Sequence, residues 1–118
     1  MREIKFRCYW KDFEEMHYLK HNDIENCYRE QKKDKVSLMQ YTGLKDKNGT
    51  EVYEGDIVKV YSSVTHTQTH GEVIYNNKVS AFMVNDLIFA QFLPVTVKDD
   101  IEVLGNIYEN KELLNANN

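Results

Sequence analysis

Residues 40–61 read QYTGLKDKNGTEVYEGDIVKVY. The span carries three glycines, Gly43, Gly49 and Gly55, and a dense set of turn residues. Two structures use such residues: a backbone loop that cradles phosphate, or the corners of a β-sheet. A phosphate loop has the pattern G-x4-G-K-[ST] and runs into a helix whose free amides face the anion. Here five residues intervene between Gly43 and Gly49, Thr50 follows Gly49 with no lysine between, and the next residues, EVYEGDIVKV, favour strand. The sheet reading accounts for each residue. Asp46-Lys47-Asn48-Gly49 fits a type I turn with Asp first and a left-handed glycine last, a common hairpin closure. Glu54-Gly55-Asp56 supplies a second turn, in which Asp56 hydrogen-bonds local backbone. Ile57–Tyr61 is β-branched and apolar and reads as strand.

Outward from this stretch the β signal continues. At the start, Ile4, Phe6, Cys8 and Trp10 alternate with Glu3, Lys5, Arg7 and Tyr9, which predicts a half-buried strand with the second set facing solvent. Lys11–Glu15 is a polar turn and Met16–Leu19 a returning strand, so a hairpin is expected. Residues 20–35 are polar, with Ile24, Cys27 and Tyr28 at helical spacing, which allows a short helix. Val36–Tyr41 is a further strand. Gly71–Tyr75 and Val79–Val84 flank Asn76-Asn77, which reads as a tight hairpin because Asn tolerates positive φ. Leu87–Leu93 is a strand stopped by Pro94, and Ile101–Ile107 is the last strand. Asn110 is expected to cap a short helix through Leu114, ahead of a frayed tail. The fold class is mainly β with minor α. It comprises an N-terminal hairpin and sheet over residues 1–53, a small SH3-like five-stranded barrel over 54–114, and a tail at 115–118, all within one domain. Residues 40–61 then form the hinge between sheet and barrel.

Composition narrows the function classes. The 118 residues are 42% hydrophobic, which is enough for one self-supporting core. Net charge is −4, and residues 41–118 hold six basic and eleven acidic side chains, which opposes the basic field of a nucleic-acid binder. The one basic cluster, REQKKDK at 29–35, is diluted by Glu30 and Asp34. The opening MREIKFRCYW has no apolar signal-peptide core, and no run reaches the roughly 20 apolar residues of a membrane span, so a cytoplasmic location and no membrane partner are expected. Cys8 and Cys27 then read as reduced, space-filling thiols, Cys8 in the core and Cys27 more exposed. His17 and His21, and His66 and His70, are four apart. On strands that spacing puts imidazoles about 13 Å apart, too far to share an ion. No nucleophile motif is present, and no catalytic residue, cofactor or metal site is expected.

Three segments carry a family resemblance: MREIKFRCYW, then LMQYTGLKDKNGTEVYEGDIV, then IEVLGNIYENKELL. Together they resemble the YopX family of bacteriophage and prophage proteins over nearly the whole chain. The residues that carry the pattern are Tyr41, Thr42, Gly43, Leu44, Asn48, Gly49, Tyr53, Glu54, Gly55, Asp56, Gly105, Asn106 and Tyr108. One departure is Lys111, where the family often has proline. The resemblance implies a mainly β fold and a homo-oligomer, and it brings no activity, cofactor or substrate. The expected function is that of a non-enzymatic accessory protein acting through host or phage protein partners and self-association. The alternatives are a nucleic-acid-binding barrel, which needs Arg29, Lys32, Lys33 and Lys35 to share a face with Arg2, Lys5 and Arg7, and a small metal-dependent hydrolase.

Overall fold

The structure is a computed structural model that describes residues 3–20, 23–62, 66–85, 90–92 and 101–115. It is mainly β, as expected, with nine strands, one α-helix and a closing 3-10 helix among the described residues. Strands β1 (Phe6–Trp10), β2 (Glu15–Tyr18), β3 (Val36–Lys45) and β4 (Glu51–Tyr53) form an antiparallel sheet in the order β2-β1-β3-β4. Strands β5 (Asp56–Ser62), β6 (Thr67–Asn76), β7 (Ala81–Asn85), β8 (Ala90–Phe92) and β9 (Ile101–Asn106) form a second antiparallel sheet in the order β8-β7-β6-β5-β9. That order, a meander whose first strand also pairs with the last, is the SH3-like one, curled here into a half-barrel.

The expected N-terminal hairpin is present, with Cys8 opposite His17 and Trp10 opposite Glu15. Its strand is not half-exposed, however. Arg7, Cys8 and Tyr9 are all buried, while Ile4 is 63% exposed. The alternation is real, but both faces of the sheet are covered. Cys8 lies under helix α1 (Ile24–Lys32), in a cluster with Cys27 and Val36. Arg7 and Tyr9 point the other way, toward the second sheet. Cys27, expected to be the more exposed thiol, is 2% exposed because it is the buried residue of α1.

The chain leaves α1 through Asp34, two residues past its last helical residue, at φ +60°. The Asp34 and Lys35 amides donate to the Gln31 and Glu30 carbonyls. This is the pattern that usually places glycine at the first position beyond the helix. Lys11 grips the Asp34 carboxylate at 2.8 Å and its amide donates to the Lys35 carbonyl, so the helix end is tied to the hairpin turn.

The main core gathers Val58, Val60, Val73, Val84 and Ile101 from the second sheet with Val52 from β4. Strand β4 therefore hydrogen-bonds to one sheet and packs in the core of the other. The β6–β7 hairpin is present, but its turn is not Asn76-Asn77. Asn76 still pairs with Ala81, residues 77–80 form the turn, and the positive φ falls on Ser80. The Asn76 carboxamide is used instead to accept the Lys78 amide at 2.9 Å. Of the expected strand at Leu87–Leu93, residues 90–92 are described. The flanks with Pro94, and residues 116–118 of the tail, lie outside the described residues. The last helix, Lys111–Asn115, is 3-10 rather than α, and Asn110 does not cap it with its side chain: that carboxamide accepts the Asn106 amide.

Candidate functional site

The residues of the 40–61 stretch and of the 105–108 segment converge where the two sheets meet. Tyr41 pairs with Tyr53 across β3 and β4, and their rings lie 5.4 Å apart. Between Tyr41 and Lys45 the register shifts. The Thr42 hydroxyl donates to the Val52 carbonyl and accepts the Leu44 amide, and Gly43 sits at φ +91°. Leu44 packs against the main core. The Glu54 carboxylate accepts the Gln40 amide at 2.7 Å. Burial raises the Glu54 carboxyl above its usual range against the pull of that amide. Gly55, at φ +85°, donates to the Val73 carbonyl of β6 and accepts the amide of Ile107, just past β9, so it is held from both sides.

The centre of the junction is a buried ion pair. Arg7 Nη2 donates to Asp56 Oδ1 at 2.8 Å and to the Glu54 carbonyl at 3.0 Å, and both ion-pair side chains are 3% exposed. The guanidinium also lies over the Tyr53 ring, 4.9 Å from its centroid, and reaches the Tyr18 hydroxyl at 3.4 Å. Asp56 Oδ2 accepts the Tyr53 amide at 2.8 Å. Burial is the largest influence on Asp56 and leaves its carboxyl above the ordinary range, although Arg7 and the Tyr53 amide pull it down. Burial likewise pushes Tyr53 up to about 12. Both partners forfeit hydration, which offsets much of the attraction the pair gains between β1 and β5.

Asp46 is a second hub. It is 2% exposed. Its Oδ1 accepts the Asn48 and Thr50 amides, and its Oδ2 accepts the Val103 amide, each at 2.9 Å. Burial acts to raise its carboxyl, but the three N–H groups outweigh it and the net displacement is downward. The turn closes as predicted, with Gly49 at φ +83° donating to the Asp46 carbonyl. Asn106 plays the same part for the other segment. Its carboxamide oxygen accepts the Tyr108 and Glu109 amides, and its amide group donates to Glu109. Gly105 lies so close to the Asn110 side chain that a Cβ would overlap it. The turn thereby sets Tyr108 flat on Tyr9, with centroids 4.7 Å apart and planes 15° from parallel.

The thirteen family-pattern residues thus lie at or beside this junction, and the side chains of Thr42, Glu54, Asp56 and Asn106 are spent on nearby backbone groups and neighbouring side chains. Two members were missed by the sequence reading. Arg7 was placed on the solvent face, and its burial removes it from the basic surface that nucleic-acid binding would require. Asp46 was read only as a turn residue. Its local half was legible from the Asp-x-x-Gly spacing, whereas its bond to Val103, 57 residues away, had no local signal.

A separate groove lies between β2 and the start of α1. It encloses about 430 Å3 and is lined by Trp10, Met16, His17, Tyr18, Leu19, Asp23, Asn26 and Cys27. Behind it Cys8 Sγ and Cys27 Sγ stand 2.9 Å apart. Burial, with the neighbouring Cys27 adding, pushes the Cys8 thiol up to about 12. Among the other histidines, His66 sits in a turn at φ +57° against the Tyr61 hydroxyl at 3.2 Å, His70 lies on β6 opposite Lys59, and His21 lies outside the described residues. Among the described residues, no group of three or more His, Cys, Asp or Glu side chains is placed to hold a metal ion, and no helix is long and apolar enough to cross a membrane.

Fold and junction together define a mainly β protein in which a four-stranded sheet is bolted to an SH3-like half-barrel. The YopX protein family matches residues 2–115, and the chain belongs to that family. Among solved structures, protein EF1440 from Enterococcus faecalis is similar, at 26% identity and a TM-score of 0.61, over 97% of this chain and 99% of that one. The YopX protein of Bacillus subtilis shares the fold at 20% identity and a TM-score of 0.60, over the same shares of the two chains. No curated protein matches.

Proposed function

We propose that this YopX-family protein is a phage or prophage accessory protein that catalyses no reaction and acts as a self-associating protein-interaction module. The observation that carries the reading is the N-terminal hairpin. Phe13 at its tip is 68% exposed, and Tyr18 at the end of β2 is 63% exposed. Strand β2 is an edge strand, with no described strand on its outer side. Exposed aromatics beside an unpaired edge suit pairing with another chain, and a second copy brings the same edge and the same rings. The burial of Tyr41, Tyr53 and Asp56 at the junction supports the non-enzymatic part, since it withdraws those side chains from solvent.

The nucleic-acid alternative loses support from the same geometry. Arg7 is buried, Lys5 pairs with Glu51 and Glu3, Arg29 with Glu25, and Lys33 with Glu30. Light scattering coupled to size exclusion at micromolar concentration tests the proposal. A dimer or larger species is expected, shifted toward monomer by Phe13→Asp. A monomeric wild type overturns the self-association, and binding to nucleic acid that strengthens as salt falls would replace it with the alternative.

A further inference from the structure

We propose that Cys8 and Cys27 form an exchangeable dithiol, which closes to a disulfide by reaction with a low-molecular-weight disulfide admitted through the groove between β2 and α1. Three independent features place the chemistry here. The sulfurs are 2.9 Å apart, so less than about 1 Å of approach separates them from the ~2.05 Å of a bond. They are contributed by different elements, β1 and α1, so bond formation would pin the helix to the sheet. They also differ in access. Both are buried, but Cys27 lines the groove with 2% of its surface exposed, whereas Cys8, at 0%, lies behind it.

The asymmetry assigns the order of events. Cys27 loses its proton to water in the groove, and its sulfur attacks one sulfur of the incoming disulfide RSSR. That S–S bond breaks, RS– leaves and is protonated, and Cys27 carries a mixed disulfide. Cys8 then gives up its proton and attacks Cys27 Sγ. The Cys8–Cys27 bond forms as the second RS– departs and is protonated. Two protein thiols are oxidised to one disulfide, and one RSSR is reduced to two RSH.

Burial keeps Cys8 protonated, which makes it a poor attacker of anything that must diffuse in. Adjacency to Cys27 compensates, because a neighbour already in position reacts as if at very high concentration. The buried indole N–H of Trp10 is directed at Cys8 and acts on it in the direction that favours the thiolate formed in the second step. The groove, bordered by Met16, His17 and Asp23 as well as Trp10, gives the leaving thiol an exit.

The test uses the reduced full chain and glutathione disulfide in native buffer at neutral pH. The wild type is expected to lose both free thiols with no lasting glutathione adduct, its mass falling by two hydrogens. A Cys8–Cys27 linked peptide should appear on digestion, and the melting temperature should rise. Cys8→Ser is expected to stop at a stable glutathione adduct on Cys27, and Cys27→Ser to react at least about tenfold more slowly for want of access. A wild type that keeps two free thiols, or that ends as an adduct on either cysteine, overturns the proposal without recourse to variants. Modification of Cys27→Ser as fast as Cys8→Ser overturns the assigned order.

Discussion

Asp46 offers the sharpest quantitative test of the junction. Asp46→Asn keeps the oxygen that accepts the Asn48 and Thr50 amides and replaces the other, which accepts Val103, with an NH2 group. A donor then faces a donor. The lost bond is to a charged acceptor, and such bonds contribute about 1.5–3 kcal/mol when the orphaned group stays out of water. Asp46→Ala removes all three bonds. The Asn48 and Thr50 amides lie near the surface, where water can take them, so the expected loss is about 3–5 kcal/mol rather than three full penalties. For a domain of this size 1 kcal/mol moves the melting temperature by about 3–6 °C, which puts Asp46→Asn about 5–18 °C below wild type. Because the Asp46 carboxyl titrates below its ordinary range in the fold, its ionised form stabilises the protein. That stabilisation is complete above the unfolded pKa of about 3.9 and is lost as pH falls through the lower folded value. The gap between wild type and Asp46→Asn should therefore narrow below about pH 4. Thermal melts across pH measure the gap, and amide exchange identifies its source: Val103 should lose protection out of proportion to its strand. An Asp46→Asn protein that melts within about 2 °C of wild type at neutral pH, or a gap that persists unchanged in acid, refutes the reasoning.

Further predictions address the other joints. Gly49→Ala meets nothing within 4 Å and should cost only the left-handed backbone, about 1–2 kcal/mol, whereas Gly55→Ala also drives its methyl to 2.7 Å from the buried Met39 sulfur and should cost about 2–5 kcal/mol in urea titrations. Equal losses would show that the Met39 contact is not felt. Arg7→Met strands a buried carboxylate and should destabilise by about 3–5 kcal/mol at neutral pH. Without Arg7 the Asp56 carboxyl, already raised by burial, rises further. The folded chain then holds that proton more tightly than the unfolded one, so the deficit should shrink as pH falls toward 5 in chemical denaturation series. Gly105→Ala should displace Asn110 and loosen the Tyr9–Tyr108 stack, visible as a changed near-ultraviolet circular dichroism signal before any loss of β content.

What could be read from the sequence was what depends on neighbours in the chain. The turns at Asp46–Gly49 and Glu54–Asp56, the N-terminal hairpin, the short helix and the SH3-like succession of strands all follow from local propensity and spacing. The errors share a physical cause. Arg7 and Tyr9 carry polar groups and so read as solvent-facing, yet both are buried, because Asp56 arrives from a distant segment to pair with Arg7 and Tyr108 to stack on Tyr9. Cys27 looked exposed in a polar helix, since nothing local indicates which stripe of α1 meets Cys8. The Asn76-Asn77 pair looked like a two-residue turn, but register fixed by the core faces of β6 and β7 spread the turn over residues 77–80. The groove was invisible for the same reason, since it is bounded by β2 and α1 and belongs to neither.

Pairing of β9 with β5 also constrains the timing of folding during synthesis. Strand β5 is flanked on both sides in its sheet, yet its second neighbour, Ile101–Asn106, is made long after Ser62. At about 5–20 residues per second the outer edge of β5, with Ile57 and Val58, waits some seconds for its partner. Through that interval Asp46 lacks the Val103 amide and the main core lacks Ile101. A nascent chain halted before residue 101 would thus present an unpaired apolar strand, open to chaperones and to pairing with other copies. Commitment to the native junction comes only when the last strand arrives.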